Sequence, residues 1–231
     1  MMKAFFTSDL VLLTITIALF VAGSALHRRT RLMLLHPVLL TFVAVIVFLR
    51  MVDIPYDRYM EATHILDFAL GLSVVSLGYL LYEQSERLSR NLLPILCSTL
   101  AGCVAGVLSV VWIAAWLGAD RTILNSIAPK SVTVPIAITI AEPMGGIISI
   151  TSVVVFCVGI FGAVFGPQIL HYGGVRTPES VGFSLGAASH GIGTSRAIEL
   201  GAIEGAMSGL AMALMGVATA LLTPILGQYF Y

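Results

Sequence analysis

The stretch ASHGIGTSRAIELGAIEG, residues 188–205, decides how this chain is read. It sets Ser189, His190, Thr194, Ser195, Arg196, Glu199 and Glu204 among glycines, with long apolar runs nearby. A second stretch, PKSVTVPIAITIAEPMGG at 129–146, repeats the pattern with Lys130, Ser131, Thr133 and Glu142 between prolines. An ionisable side chain in hydrocarbon costs about 2.5–3.5 kcal/mol on insertion scales, so such groups sit there for a functional reason. Each stretch carries Gly or Pro where a continuous spanning helix needs neither, and each is followed by an apolar span. A pair of interrupted polar segments points to a membrane transport site.

Composition fixes the solvent. Of 231 residues, 58% are hydrophobic and 10% charged, where a soluble domain carries about 25% charged residues. The mean hydropathy is +1.00. The apolar runs are long and do not alternate, so the fold class is all-α integral membrane protein. The formal net charge is zero, which implies no nucleic-acid partner. Cys97, Cys103 and Cys157 lie in apolar spans without pairing or metal spacing, and read as buried small hydrophobes. No metal or cofactor is implied, and no enzyme activity. Lys3, the run from Leu10 and Ala22-Gly23-Ser24-Ala25 resemble a signal peptide, but Arg28, Arg29 and Arg31 follow at once as a stop-transfer pattern. This segment is expected to be the first transmembrane helix.

About six full spans are expected, near 10–26, 32–52, 65–82, 93–117, 147–170 and 206–230, each close to the roughly 20 residues that cross a bilayer. Between them lie the polar stretches 127–145 and 181–205, as broken or re-entrant helices. The chain reads as one membrane domain over 1–231, with ordinary spans in 1–118 and two broken-helix-plus-span units in 119–231. Loops with Arg28, Arg29 and Arg31 and with Arg87 and Arg90 fall on one side, across from the mostly acidic loop 53–64. The positive-inside rule makes them cytoplasmic and the N-terminus external. Arg176 joins the cytoplasmic side if the first polar stretch makes no net crossing. The units 127–170 and 181–230 would then be inverted repeats, the transporter plan that binds substrate near the midplane where helices break.

Pro129 and Pro135 bracket Lys130, Ser131 and Thr133, freeing backbone groups for a ligand. Lys130 offers a compact positive charge to a carboxylate; the plainer reading is a lysine that snorkels to the headgroups. Glu142, with Pro143, Gly145 and Gly146, makes the turn into the next span. In the second stretch Thr194 and Ser195 are good N-caps for a half-helix starting near Arg196, and His190 is suited to passing protons. The plainer reading is a polar loop with a satisfied histidine and an Arg196–Glu199 pair at i,i+3. Gly182-Phe183-Ser184-Leu185-Gly186 matches a hydrolase elbow, but that motif needs a strand-to-helix turn and nothing here reads as a strand. The pairs Gly102/Gly106, Gly162/Gly166 and Gly205/Gly209 have the spacing of close helix contacts.

The strings PKSVTVPIA from Pro129, GIFGAVFG from Gly159, ASHGIGTSRAIEL from Ala188 and EGAMSGLAM from Glu204 resemble those of the LrgB/CidB family of membrane proteins. The likeness covers most of the chain, including the Tyr82-Glu83 end of the third span, and extends to the YohK-like branch. It implies two kinds of function. Members are described as antiholin-like regulators of murein hydrolases, acting beside a smaller LrgA/CidA-like membrane protein. Others are linked to small carboxylates: pyruvate in some bacteria, glycolate and glycerate in the related plastid translocator.

The expected function is therefore alternating-access transport of a small monocarboxylate in the bacterial inner membrane. Lys130, His190 and Arg196 would be the anion-facing groups, and Ser131, Thr133, Ser189, Thr194 and Ser195 the hydroxyl donors. Glu142, Glu199 and Glu204 are candidates for a coupling ion. Expected partners are the carboxylate, membrane lipid, an LrgA/CidA-like protein and a further copy of the chain. The rival is a lysis regulator that transports nothing.

Overall fold

The computed structural model describes residues 6–30, 35, 37–83, 86, 89 and 91–230. Lys3 of the signal-peptide resemblance, and Arg31, Arg87 and Arg90 of the orientation reading, lie outside the described residues. The described residues form helices joined by short turns and contain no strand. The helices are α1 (Asp9–Thr30), α2 (Pro37–Val52), α3 (Tyr56–Glu83), α4 (Leu92–Trp116), α5 (Arg121–Ile127), α6 (Val134–Ala141), α7 (Ile148–Tyr172), α8 (Pro178–Leu200) and α9 (Ala202–Phe230). Among them α1, α4, α7 and α9 are long and apolar enough to cross a membrane, and α2 is a shorter apolar helix. The chain is a multi-pass membrane protein.

Two compact units divide the chain within α3, at residues 1–73 and 74–231. In the first, α1 and α2 meet at Gly23, where a Cβ would stand 3.3 Å from the Pro37 carbonyl. Leu12, Val45, Leu49, Ile54 and Ala62 form its core. The polar loop expected over 53–64 is largely helix. The chain turns at Asp53 in the left-handed region (φ 56), and α3 starts at Tyr56 directly after Pro55. Asp57 sits in its first turn, where a negative charge suits the helix dipole. Arg58 donates to the Thr7 carbonyl (2.6 Å) and pairs with Asp9.

The second unit contains both polar stretches, and each is a helical hairpin. The first consists of α5, the turn 128–133 and α6. After α6 the chain returns to the level of α5: Asn125 Nδ2 donates to the Met144 carbonyl, and the Ile147 amide donates to Ser126 Oγ (2.7 Å). Residues 127–141 therefore run out and back, with Pro129, Lys130 and Ser131 at the tip. Asp120 caps α5 by accepting from the Ile123 amide (2.9 Å).

The second hairpin lies inside α8, which breaks at Ser189 (φ −132, ψ 16) and His190 (φ 42, ψ −134). A Cβ at Gly193 would be 2.5 Å from the Leu185 carbonyl. Residues eight apart in a continuous helix are separated by about 12 Å, so the two halves of α8 fold back on one another. Gly182 and Gly186 press on the backbone of Glu204 and Ser208, which makes the first half parallel to α9. Gly205 packs on Ile198 and Thr194 on Ser208 and Met212, so the returning half is antiparallel to it.

These contacts set the direction of each hairpin. The base of the first lies beside the end of α9, where Arg121 donates to the Gly227 carbonyl (3.3 Å). The base of the second lies beside the start of α9, at Glu204. Their inner parts reach consecutive turns in the middle of α9, Ile136 against Gly216 and Gly191 against Met212. The hairpins thus enter from opposite ends, and each is followed by a long helix, α7 or α9. That is the element order of an inverted repeat.

Candidate functional site

A cavity of about 510 Å³ lies between α4, the first half of α8 and α9, and the tip of the first hairpin borders it. α4 contributes Ser98, Gly102 and Gly106 to its wall, α8 contributes Glu179, Ser180 and Ser184, and α9 contributes Met207 and Met215. Lys130 and Ser131 border it at the hairpin tip. Ser131 Oγ would be 3.8 Å from a Cβ at Gly106, near the middle of α4. The space therefore runs from the first turns of α4 and α8 to mid-height in the bundle. Lys130 is half-buried and donates from Nζ to Ser131 Oγ (3.0 Å); among the described residues it makes no ion pair. An ammonium so placed can hold a carboxylate, and the adjacent hydroxyl can add a second donor.

Of the residues expected to bind substrate, Lys130 and Ser131 line this space and six do not. Thr133 stands at the N-cap of α6 without a side-chain cap bond. Ser189 and His190 are buried at the tip of the second hairpin, turned onto α7. His190 Nε2 donates to the Val155 carbonyl (3.0 Å), and the ring and Ser189 fill the gaps left by Gly159 and Gly162. The half-helix expected to start near Arg196, capped by Thr194 and Ser195, starts just after His190. Both hydroxyls lie within it and bond back to the carbonyls of His190 (2.8 Å) and Gly191 (3.1 Å). Arg196 pairs with Glu199 (2.8 Å) on an outer face. Glu142 is exposed at the C-cap of α6, and Glu204 packs against Gly201 at the base of the second hairpin. Among the described residues no cluster of His, Cys, Asp and Glu could hold a metal ion.

The model of the LrgB-like family matches residues 16–229. The chain belongs to the LrgB-like family. It is 35% identical over 222 residues to the uncharacterized protein YxaC of Bacillus subtilis, covering 96% of each chain. It is 28% identical over 221 residues to the holin-like protein CidB of Staphylococcus epidermidis, again with 96% of each covered. With the holin-like protein CidB of Staphylococcus aureus the identity is 26% over 226 residues, covering 98% of this chain and 99% of that one. No solved structure matches.

In this LrgB-like protein, sequence reasoning missed Ser98, Glu179, Ser180 and Ser184. Gly102 and Gly106 were expected to bring helices into contact. Instead, among the described residues, Gly102 has nothing within 4 Å of its Cβ position and Gly106 meets only Ser131, so this pair faces the cavity and not a neighbouring helix. The spacing of Ser98, Gly102 and Gly106 at i, i+4, i+8 was the available signal, since it places all three on one helix face. Of the cysteines, Cys103 is buried as expected, but Cys97 and Cys157 are exposed on the outside of their helices.

Proposed function

We propose that this LrgB-like protein transports small monocarboxylates of the pyruvate, lactate, glycolate and glycerate class by alternating access. One observation carries the reading: Lys130, at the tip of a hairpin that reaches half-way into the bundle, borders a cavity open along α4 and α8. In the bilayer the two hairpins would each reach half depth, with the substrate held where their tips approach mid-height. The order of elements in 121–172 and 178–230 supports an exchange of access between the two ends, each repeat opening its own side in turn. Arg176, in the loop before α8, makes the open end cytoplasmic by the positive-inside rule, with the N-terminus outside.

The second reading is regulation of lysis without transport, and the name holin-like protein CidB given to two of the relatives favours it. A small LrgA/CidA-like membrane protein would be the partner in that case, and fits the transporter as an accessory too. Uptake of labelled pyruvate, lactate and glycolate into proteoliposomes separates the two. A transporter gives saturable flux that Lys130→Ala abolishes while the purified protein stays folded, and a regulator gives none with any variant.

A further inference from the structure

Hydroxyl side chains in these helices are mostly spent on their own backbone. Thr99, Thr151, Ser152, Thr194 and Ser195 each donate to the carbonyl four residues earlier. Ser98 and Ser184 make no such bond and have no other partner among the described residues. Both border the cavity, from opposite walls: Ser98 on α4 one residue before the back-bonded Thr99, Ser184 on α8. The segment that resembles a hydrolase elbow explains the second. Gly182 and Gly186 lie on the α8 face pressed against the backbone of α9, and helical geometry turns Ser184, midway between them, to the other side. Ser98 stands about 12 Å along α4 from Gly106, the residue against which Ser131 packs. The hydroxyl groups therefore sit between the mouth of the space and its cationic inner end.

We infer that Ser98 and Ser184 are anion-positioning residues, donating to a carboxylate as it sheds water on the way to Lys130 and Ser131. An uncommitted O–H is a donor, which is what a carboxylate oxygen needs in place of a lost water. The inference rests on the transporter reading, and names residues of that site which the polar strings do not contain.

Two measurements test it. In proteoliposomes, Ser98→Ala and Ser184→Ala should each raise KM for pyruvate by about tenfold, the effect of losing a hydrogen bond to a charged group, with kcat little changed. A merely structural role would lower kcat and the amount of folded protein instead. Separately, with Cys97, Cys103 and Cys157 replaced by Ala, Ser184→Cys or Ser98→Cys gives a thiol whose reaction with a charged methanethiosulfonate should be slowed several-fold by millimolar pyruvate. Protection without uptake by the parent protein would sink the transporter and leave the serine subsite standing. Uptake with unchanged KM in both alanine variants, or an introduced thiol that is unreactive or unprotected, would overturn the subsite and leave the transporter standing. If there is neither uptake nor protection, both readings fall.

Discussion

The tight junction between α8 and α9 gives a prediction whose size follows from the coordinates. In Gly186→Ala the new Cβ would lie 2.1 Å from the Ser208 carbonyl oxygen, where ordinary contact begins at 3.4 Å. The obstacle is backbone, so no rotamer relieves it; the first half of α8 must move off α9. Overpacking of this kind costs about 1–3 kcal/mol, which for a chain of this length lowers Tm by about 2–12 °C. Gly209→Ala is the control, because among the described residues nothing lies within 4 Å of that Cβ position on α9. There alanine should be neutral or stabilising, by up to about 1 kcal/mol through helix propensity. The assay is the melting temperature of detergent-purified protein, read as loss of the monodisperse chromatographic peak after heating. Equal melting temperatures for Gly186→Ala and the parent, or an equal fall for both variants, would refute the parallel, glycine-seated packing of α8 on α9.

Other perturbations separate site from scaffold. Gly102→Leu places a side chain in the open cavity and should reduce pyruvate uptake at least about tenfold, as for a lost site contact, with Tm unchanged; unaltered uptake would deny that the cavity is the path. Arg196→Ala removes an exposed i,i+3 ion pair worth about 0–1 kcal/mol, so uptake should stay close to that of the parent, and loss of flux with folding intact would return Arg196 to the site. His190→Ala should lower Tm, because it removes the bond to Val155 while keeping the strain of a β-carbon at positive φ that the parent also carries. His190→Gly relieves the second of these, and should melt above the alanine variant. Thr223 Oγ1 is buried without a partner among the described residues, so Thr223→Val should raise Tm by the equivalent of about 1 kcal/mol.

The helical class was legible because composition and run length alone dictate it, and both polar stretches do hold the breaks. What the sequence hid is the position of the second break and the direction in which its side chains point. Local chemistry favoured Gly191 to Ser195, where glycines and good N-caps cluster, yet the chain turns at Ser189 and His190. A histidine at positive φ goes against its own preference, and packing supplies what propensity does not: the ring and the neighbouring serine seat on Gly159 and Gly162. The nearby Gly193 is spent on letting the two halves of α8 touch. Lys130 was readable because it interrupts an apolar context flanked by prolines. Ser98 and Ser184 were not, because a serine within a span ordinarily bonds to its own helix, and only the fold tells which ones do not.

The connection between α8 and α9 is a single residue, Gly201, in extended backbone (φ 172, ψ 167). So short a tether leaves no slack. The second hairpin cannot swing away by itself; it must carry α9 along, or melt the first turn of that helix. The first hairpin joins α7 through the longer segment 142–147, which holds Gly145 at φ 81 and offers several torsions to absorb a tilt. Mechanical freedom is therefore unequal in the two halves: one hairpin is hinged, and the other is welded to the pillar beside it.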